Sequence, residues 1–128
     1  MTVNISIGLT HKEEKRVEQI DSATAHGSGL VEVFATPAMI AFMERTAMLC
    51  VSEILPKGFT TVGTHVNVTH KKATPIGMMV YCEVQIMEFD GRKLVFKVHA
   101  SDEEGEIGSG THTRFIIDEK KFMQKLQK

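Results

Sequence analysis

Glu44 sits where a carboxylate is out of place. On a helix its neighbours three and four residues away are Ile40, Ala41, Ala47 and Met48, all apolar. A carboxylate stripped of water on such a face is a stronger base or nucleophile. The competing reading is a side chain that reaches back to solvent, or that pairs with an arginine such as Arg45 of a neighbour. Thr36, just before Pro37, reads first as a helix cap, because Thr is a favoured N-cap and Pro fits the first turn. The same position also suits chemistry. A helix N-terminus offers free backbone N–H groups and a positive dipole end, which would stabilise an oxyanion. Pro37 cannot donate, so the donors would be Ala38 or Met39.

His70 alternates in phase with Val62, Val66 and Val68, and so points to the same side of a strand. A lone histidine on an apolar face is more often a core residue than a base. His65 falls on the opposite face. His112, in the run Gly110-Thr111-His112-Thr113-Arg114, is a further candidate. His11, His26 and His99 have no supporting context. Thr36 and Glu44 are eight residues apart, about 12 Å along an ideal helix. They cannot touch, so a third group must stand between them, from a facing strand or a partner subunit. His70 fits the first option.

The elements that must hold these residues follow from periodicity. The segment from Thr36 to about Leu55 is apolar nearly all round, and Pro56 and Gly58 end it. Such a helix must be buried. Residues 59–70, 77–89, 92–101 and 106–117 read as four strands. Alternation is clear at Val80, Cys82, Val84 and Ile86, and again at Leu94, Phe96 and Val98. Asp90-Gly91 marks a tight hairpin and Glu103-Glu104-Gly105 a second. Upstream, residues 2–9 are expected as a short first strand and residues 10–20 as strand or loop. Gly27-Ser28-Gly29 marks a flexible loop, and Val31 to Phe34 a short strand leading into the helix. Residues 118–128 read as a charged helix or tail. One long apolar helix followed by consecutive antiparallel strands implies an α+β domain, the sheet curled around the helix in the hotdog arrangement. Its open edges predict at least a dimer.

Bulk properties narrow the function. A chain of 128 residues fits one domain spanning 1–128. With 42% hydrophobic residues and a net charge of −1, it lacks the composition of a disordered chain and any field that would favour nucleic acid. Cys50 and Cys82 lie in apolar runs and read as buried free thiols, with no metal-binding spacing. No signal-peptide pattern and no membrane-length apolar run is present, so a cytoplasmic setting without membrane association is the expectation.

The pattern becomes specific when the pieces are taken in order. Val33-Phe34-Ala35-Thr36-Pro37, then Met43-Glu44, then Gly63-Thr64-His65-Val66 and Val68-Thr69-His70 resemble the fluoroacetyl-CoA thioesterase-like family of hotdog proteins. The segment Thr74-Pro75-Ile76-Gly77 resembles the strand connection of hotdog thioesterases generally. The resemblance covers about residues 5–117. It implies a catalytic Thr, Glu and His at Thr36, Glu44 and His70, a substrate-binding glycine at Gly63, and a late-strand arginine at Arg114. It implies an acyl-CoA substrate with a short or small acyl group. No cofactor or metal is expected, since CoA is part of the substrate, and a homodimer or higher oligomer is. It does not carry over the fluorinated acyl group, because the loop Ala25 to Leu30 holds no aromatic residue to cap a small acyl pocket.

The implied reaction is thioester hydrolysis to acid and free CoA. His70 would act as base on Thr36 or on a water. Glu44 would orient His70 or attack the acyl carbon itself. Lys71, Lys72, Arg92 and Lys93 are candidates for the CoA phosphates. The alternative from another class is a non-catalytic acyl-CoA-binding or structural hotdog dimer, since a fold alone does not fix function. A hydratase is a second enzymatic rival, disfavoured because no Asp stands near His70 in sequence.

Overall fold

In a computed structural model, which describes residues 3–127, five antiparallel strands form one sheet against a central helix. The strands are β1 (Thr10–Arg16), β2 (Phe59–His70), β3 (Met79–Phe89), β4 (Lys93–Asp102) and β5 (Gly105–Asp118). Helix α1 (Thr36–Ser52) precedes β2, and a short α2 (Glu119–Leu126) follows β5. The sheet order is β1-β3-β4-β5-β2, so β1 and β2 are its edges.

The period-2 pattern does the folding work. Val80, Cys82, Val84 and Ile86 of β3 and Leu94, Phe96, Val98 and Ala100 of β4 turn inward and are all but inaccessible to water. They meet Met39, Phe42, Met43, Ala47 and Val51 of α1. Each large side chain so buried contributes about 1.5–3 kcal/mol. Cys50 and Cys82 are free and buried in this layer, and desolvation pushes each thiol up to about 11. The hairpin at Asp90-Gly91 forms as expected. Gly91 takes φ 100°, and the Asp90 carboxylate accepts from the N–H groups of Arg92 and Lys93.

Four expectations need correction. Residues 3–9 form no strand, and residue 2 lies outside the described residues; the first strand is Thr10–Arg16, whose charged residues pair with β3 as an edge. Val31 to Phe34 forms only isolated bridges, Phe34 with Ser22 and Val33 with Pro75. Helix α1 ends at Ser52 rather than about Leu55, although Leu55 stays buried through a bond from its N–H to the Val51 carbonyl. Finally, α1 is not wrapped all round. A single curved sheet covers one side of a helix, so Ala41 and Arg45 are exposed and Ile40, Glu44 and Met48 are half-buried.

Candidate functional site

Thr36 is not the cap of α1. Ala35 caps it, in extended conformation. Its N–H donates to the Asp21 carbonyl at 2.8 Å, and its own carbonyl accepts from Met39 at 2.9 Å. Thr36 is therefore the first helical residue, and its hydroxyl has no backbone duty. It lies 2.8 Å from Nδ1 of His70, the last residue of β2. The Met39 amide is consumed by the helix, which leaves Ala38 as the free donor of the pair named from sequence.

His70 reaches Thr36 because β2 turns its end residues toward the helix. Val66, Val68 and His70 pair with His112, Gly110 and Gly108 of β5 and share their inner face. Val62 does not, contrary to the simple alternation. A bulge between Gly63 and His65 leaves Thr64 unpaired and puts Val62 on the outer face, level with Phe115. Burial lowers the pKa of His70 below its usual value, with the nearby Lys72 backbone acting in the opposite sense. Its Nε2 is buried and makes no hydrogen bond among the described residues. A hydroxyl and a neutral imidazole at this distance can exchange a proton directly.

The loop after His70 is pinned from below. The Asp102 carboxylate, fully covered, accepts from Lys72 Nζ at 2.7 Å, Thr74 Oγ1 at 2.8 Å and the Glu104 N–H at 2.8 Å. Lys71 pairs with Glu106. Two of the three lysines considered for phosphate, Lys71 and Lys72, are thus held by carboxylates. A cleft of about 310 Å³ opens beside the dyad between Ser28, Val33, Pro37 and Ala73. A wider cleft of about 540 Å³, lined by Lys12, Tyr81, Glu83 and His99, contains neither Thr36 nor His70.

Glu44 is not brought to His70 within the chain. It faces a second hollow with Arg45, Met48, Thr61, Gly63 and Arg114. Gly63 is the close approach: a Cβ there would stand 3.0 Å from Glu44 Oε2, 3.0 Å from His112 Cε1 and 3.3 Å from Arg114 Nη1. Arg114 is 7% exposed and His112 1%. The guanidinium donates through Nε to Thr61 Oγ1 and through Nη2 to the Thr61 carbonyl, at 2.7 and 2.8 Å. Burial works against its charge and Glu44 works for it. So Thr36 and His70 form one cluster, and Glu44, Gly63 and Arg114 form another. Sequence reasoning left His112 and Thr61 without a role. Every second residue of β5 from Gly108 to Ile116 faces inward, and that phase was the signal that could have placed His112 beside Arg114.

Comparison with known proteins agrees with the fold. The model of the fluoroacetyl-CoA-specific thioesterase family matches residues 1–120. A fluoroacetyl-CoA thioesterase from Streptantibioticus cattleyicolor is 40% identical over 96 residues, 75% of this chain and 69% of that protein. A solved structure of the fluoroacetyl-CoA thioesterase FlK superposes with TM-score 0.91 at 31% identity, covering 97% of this chain and 96% of the other. A hot-dog-like protein from Thermanaerovibrio acidaminovorans, at 23% identity, shares the fold with TM-score 0.86 over 95% of this chain and 90% of its own. With family model, relative and solved structure in agreement, the chain belongs to the fluoroacetyl-CoA-specific thioesterase family.

Proposed function

We propose that the protein hydrolyses acyl-CoA thioesters of small acyl groups, with Thr36 as nucleophile and His70 as general base. The observation that carries this reading is the 2.8 Å contact between Thr36 Oγ1 and His70 Nδ1. Nδ1 takes the hydroxyl proton as Oγ1 attacks the thioester carbonyl. The Ala38 N–H in the first turn of α1 would donate to the developing oxyanion. Collapse breaks the C–S bond, and the thiolate leaves with the proton from His70. Water then attacks the acyl-threonine, again giving its proton to His70; collapse breaks the bond to Oγ1, Oγ1 takes that proton back, and the acid departs. Burial keeps His70 neutral and able to accept at neutral pH.

Glu44 enters from a second copy in this reading. β2 is a twelve-residue edge strand whose middle, Gly63 to Asn67, is exposed. Such an edge favours pairing with another strand. A two-fold, antiparallel β2–β2 contact places the His70 end of one protomer against the Phe59 to Gly63 end of the other. The dyad then faces Glu44 of the partner subunit, whose carboxylate stabilises the charged form of His70 as the proton arrives. Gly63 lets substrate approach the backbone closely, and Arg114 supports the same hollow.

The test is release of free CoA thiol from a panel of acyl-CoAs, from acetyl and fluoroacetyl to aromatic acyls, with wild type and His70→Ala side by side. A loss of about 100-fold or more in the variant is expected for a general base. No hydrolysis by folded wild type, with saturable acyl-CoA binding, would sink the reading in favour of a binding protein.

A further inference from the structure

His112 is the most deeply buried histidine, and the reaction proposed above gives it no role. Its two ring nitrogens have partners of opposite kind. Nδ1 lies 2.9 Å from the His65 carbonyl, which can only accept. Nε2 lies 3.1 Å from Arg114 Nη1, which can only donate. The proton must therefore sit on Nδ1, and Nε2 must present its lone pair. The neutral ring in one tautomer is the only form that satisfies both neighbours. Burial holds the ring neutral and the cation of Arg114 adds to that, while the hydrogen bond to the His65 carbonyl and the Glu44 carboxylate oppose it.

The acceptor at Nε2 matters for where Arg114 points. Thr61 takes Nε and Nη2 through its hydroxyl and carbonyl, on one side of the guanidinium. His112 takes one N–H of Nη1, on the other side. A planar fork fixed at three of its donors has no freedom to rotate. Its remaining Nη1 proton is then aimed at the space beside Gly63, across which Glu44 Oε2 lies. Arg114 and Glu44 are not in direct ion-pair contact, so orientation, not a bond between them, sets how the cation acts on the carboxylate.

We propose that His112 is a positioning residue: as a neutral acceptor of fixed tautomer, it holds the Arg114 guanidinium so that Nη1 faces Glu44 across Gly63. The proposal rests on the thioesterase reading for its catalytic consequence and on geometry alone for the anchor. His112 touches no reacting atom; it acts through Arg114 and Glu44. The bulge between Gly63 and His65 is part of the device, because it brings the His65 carbonyl to Nδ1 while Val66 stays level with His112.

Two variants and one spectrum test it. His112→Leu keeps the bulk and removes both polar contacts. His112→Gln restores a donor for the His65 carbonyl and an acceptor for Nη1. The Leu variant is expected to lose about 10- to 100-fold in kcat, as a small misplacement of a catalytic group does, with KM little changed. The Gln variant is expected to recover most of that loss. Equal impairment of both, tracking their loss of thermal stability, would overturn the proposal in favour of a purely structural histidine. Unchanged kcat in the Leu variant would also overturn it. Separately, 15N NMR of the wild type at neutral pH should show His112 protonated on Nδ1 and bare on Nε2; the opposite tautomer, or a charged ring, removes the anchor. An inactive wild type with the expected tautomer would sink the thioesterase reading and leave the anchor standing. An active wild type with the wrong tautomer would do the reverse.

Discussion

The Thr36 hydroxyl stands 2.8 Å from His70 Nδ1 because Ala35, one residue earlier, carries the capping role of α1. That division separates chemistry from stability. Thr36→Ala should cut kcat by about 100-fold or more, as loss of a nucleophile paired with its base does. It should cost well below the ~1 kcal/mol typical of removing a true N-cap. Thr36→Ser keeps the hydroxyl and should stay active, and the wild type should yield an acyl adduct on Thr36 when turnover is quenched. Urea titrations beside steady-state rates check both halves. A large stability loss in Thr36→Ala would mean that the side chain caps the helix after all.

Burial lowers the pKa of both His70 and His112. For a base, the neutral form is active, so the acid limb of kcat/KM should fall below pH 6.5, the ordinary histidine value. The sign for stability follows from proton binding. Below about pH 6.5 the unfolded chain takes up protons that the folded one refuses, so folding loses stability as pH falls. The contribution is full above the unfolded value and declines through the window between it and the lower folded values. Melting temperature against pH should show this decline, and His112→Gln should flatten it.

Two glycines with crowded Cβ positions should behave differently. At Gly108 a Cβ would stand 2.7 Å from the Thr69 carbonyl oxygen and 2.7 Å from Met39 Sδ. The backbone there cannot give way, so Gly108→Ala should destabilise by about 1–3 kcal/mol, the usual range for overpacking. At Gly63 the crowding atoms are side-chain ends: Glu44 Oε2, which can swing aside, and His112 Cε1 and Arg114 Nη1, which their hydrogen bonds hold. Gly63→Ala should therefore cost less stability than Gly108→Ala, where backbone is met, and should also lose activity by displacing Glu44. Chemical denaturation and thiol release, measured on both variants, separate the two effects.

The inward phases of β3 and β4 and the two hairpin signals were legible in the sequence because period-2 alternation and turn chemistry act locally. The bulge between Gly63 and His65 was not, since nothing in Val62 to His70 announces an unpaired residue; only the partner strand shows it. It reversed Val62 while leaving His70 correctly aimed. That His70 belongs with Thr36 was anticipated from helix spacing and from the family resemblance. Glu44 was expected within reach of the same histidine, but the chain turns it to Gly63 and Arg114 instead. A helix rises about 1.5 Å per residue, so two positions eight apart serve two hollows, and the sequence does not say which chain completes either.

Mixed dimers separate a site shared between protomers from one built within a single chain. If the dyad of one protomer works with Glu44 of the partner subunit, then His70→Ala and Glu44→Gln chains, each inactive alone, should complement each other. A heterodimer places the intact Thr36–His70 pair of the Glu44→Gln chain against the intact Glu44 of the His70→Ala chain, while its other site carries both lesions. Thiol release should thus appear on co-refolding the two variants, rising toward half the wild-type rate per heterodimer. The same mixture of His70→Ala with Thr36→Ala should stay inactive, because both lesions fall in the dyad and no combination restores it. If each site were built within one chain, the first mixture would be as inactive as the second. Sedimentation velocity on the same samples would show whether dimers had formed, so that inactive mixed dimers would count against a shared site.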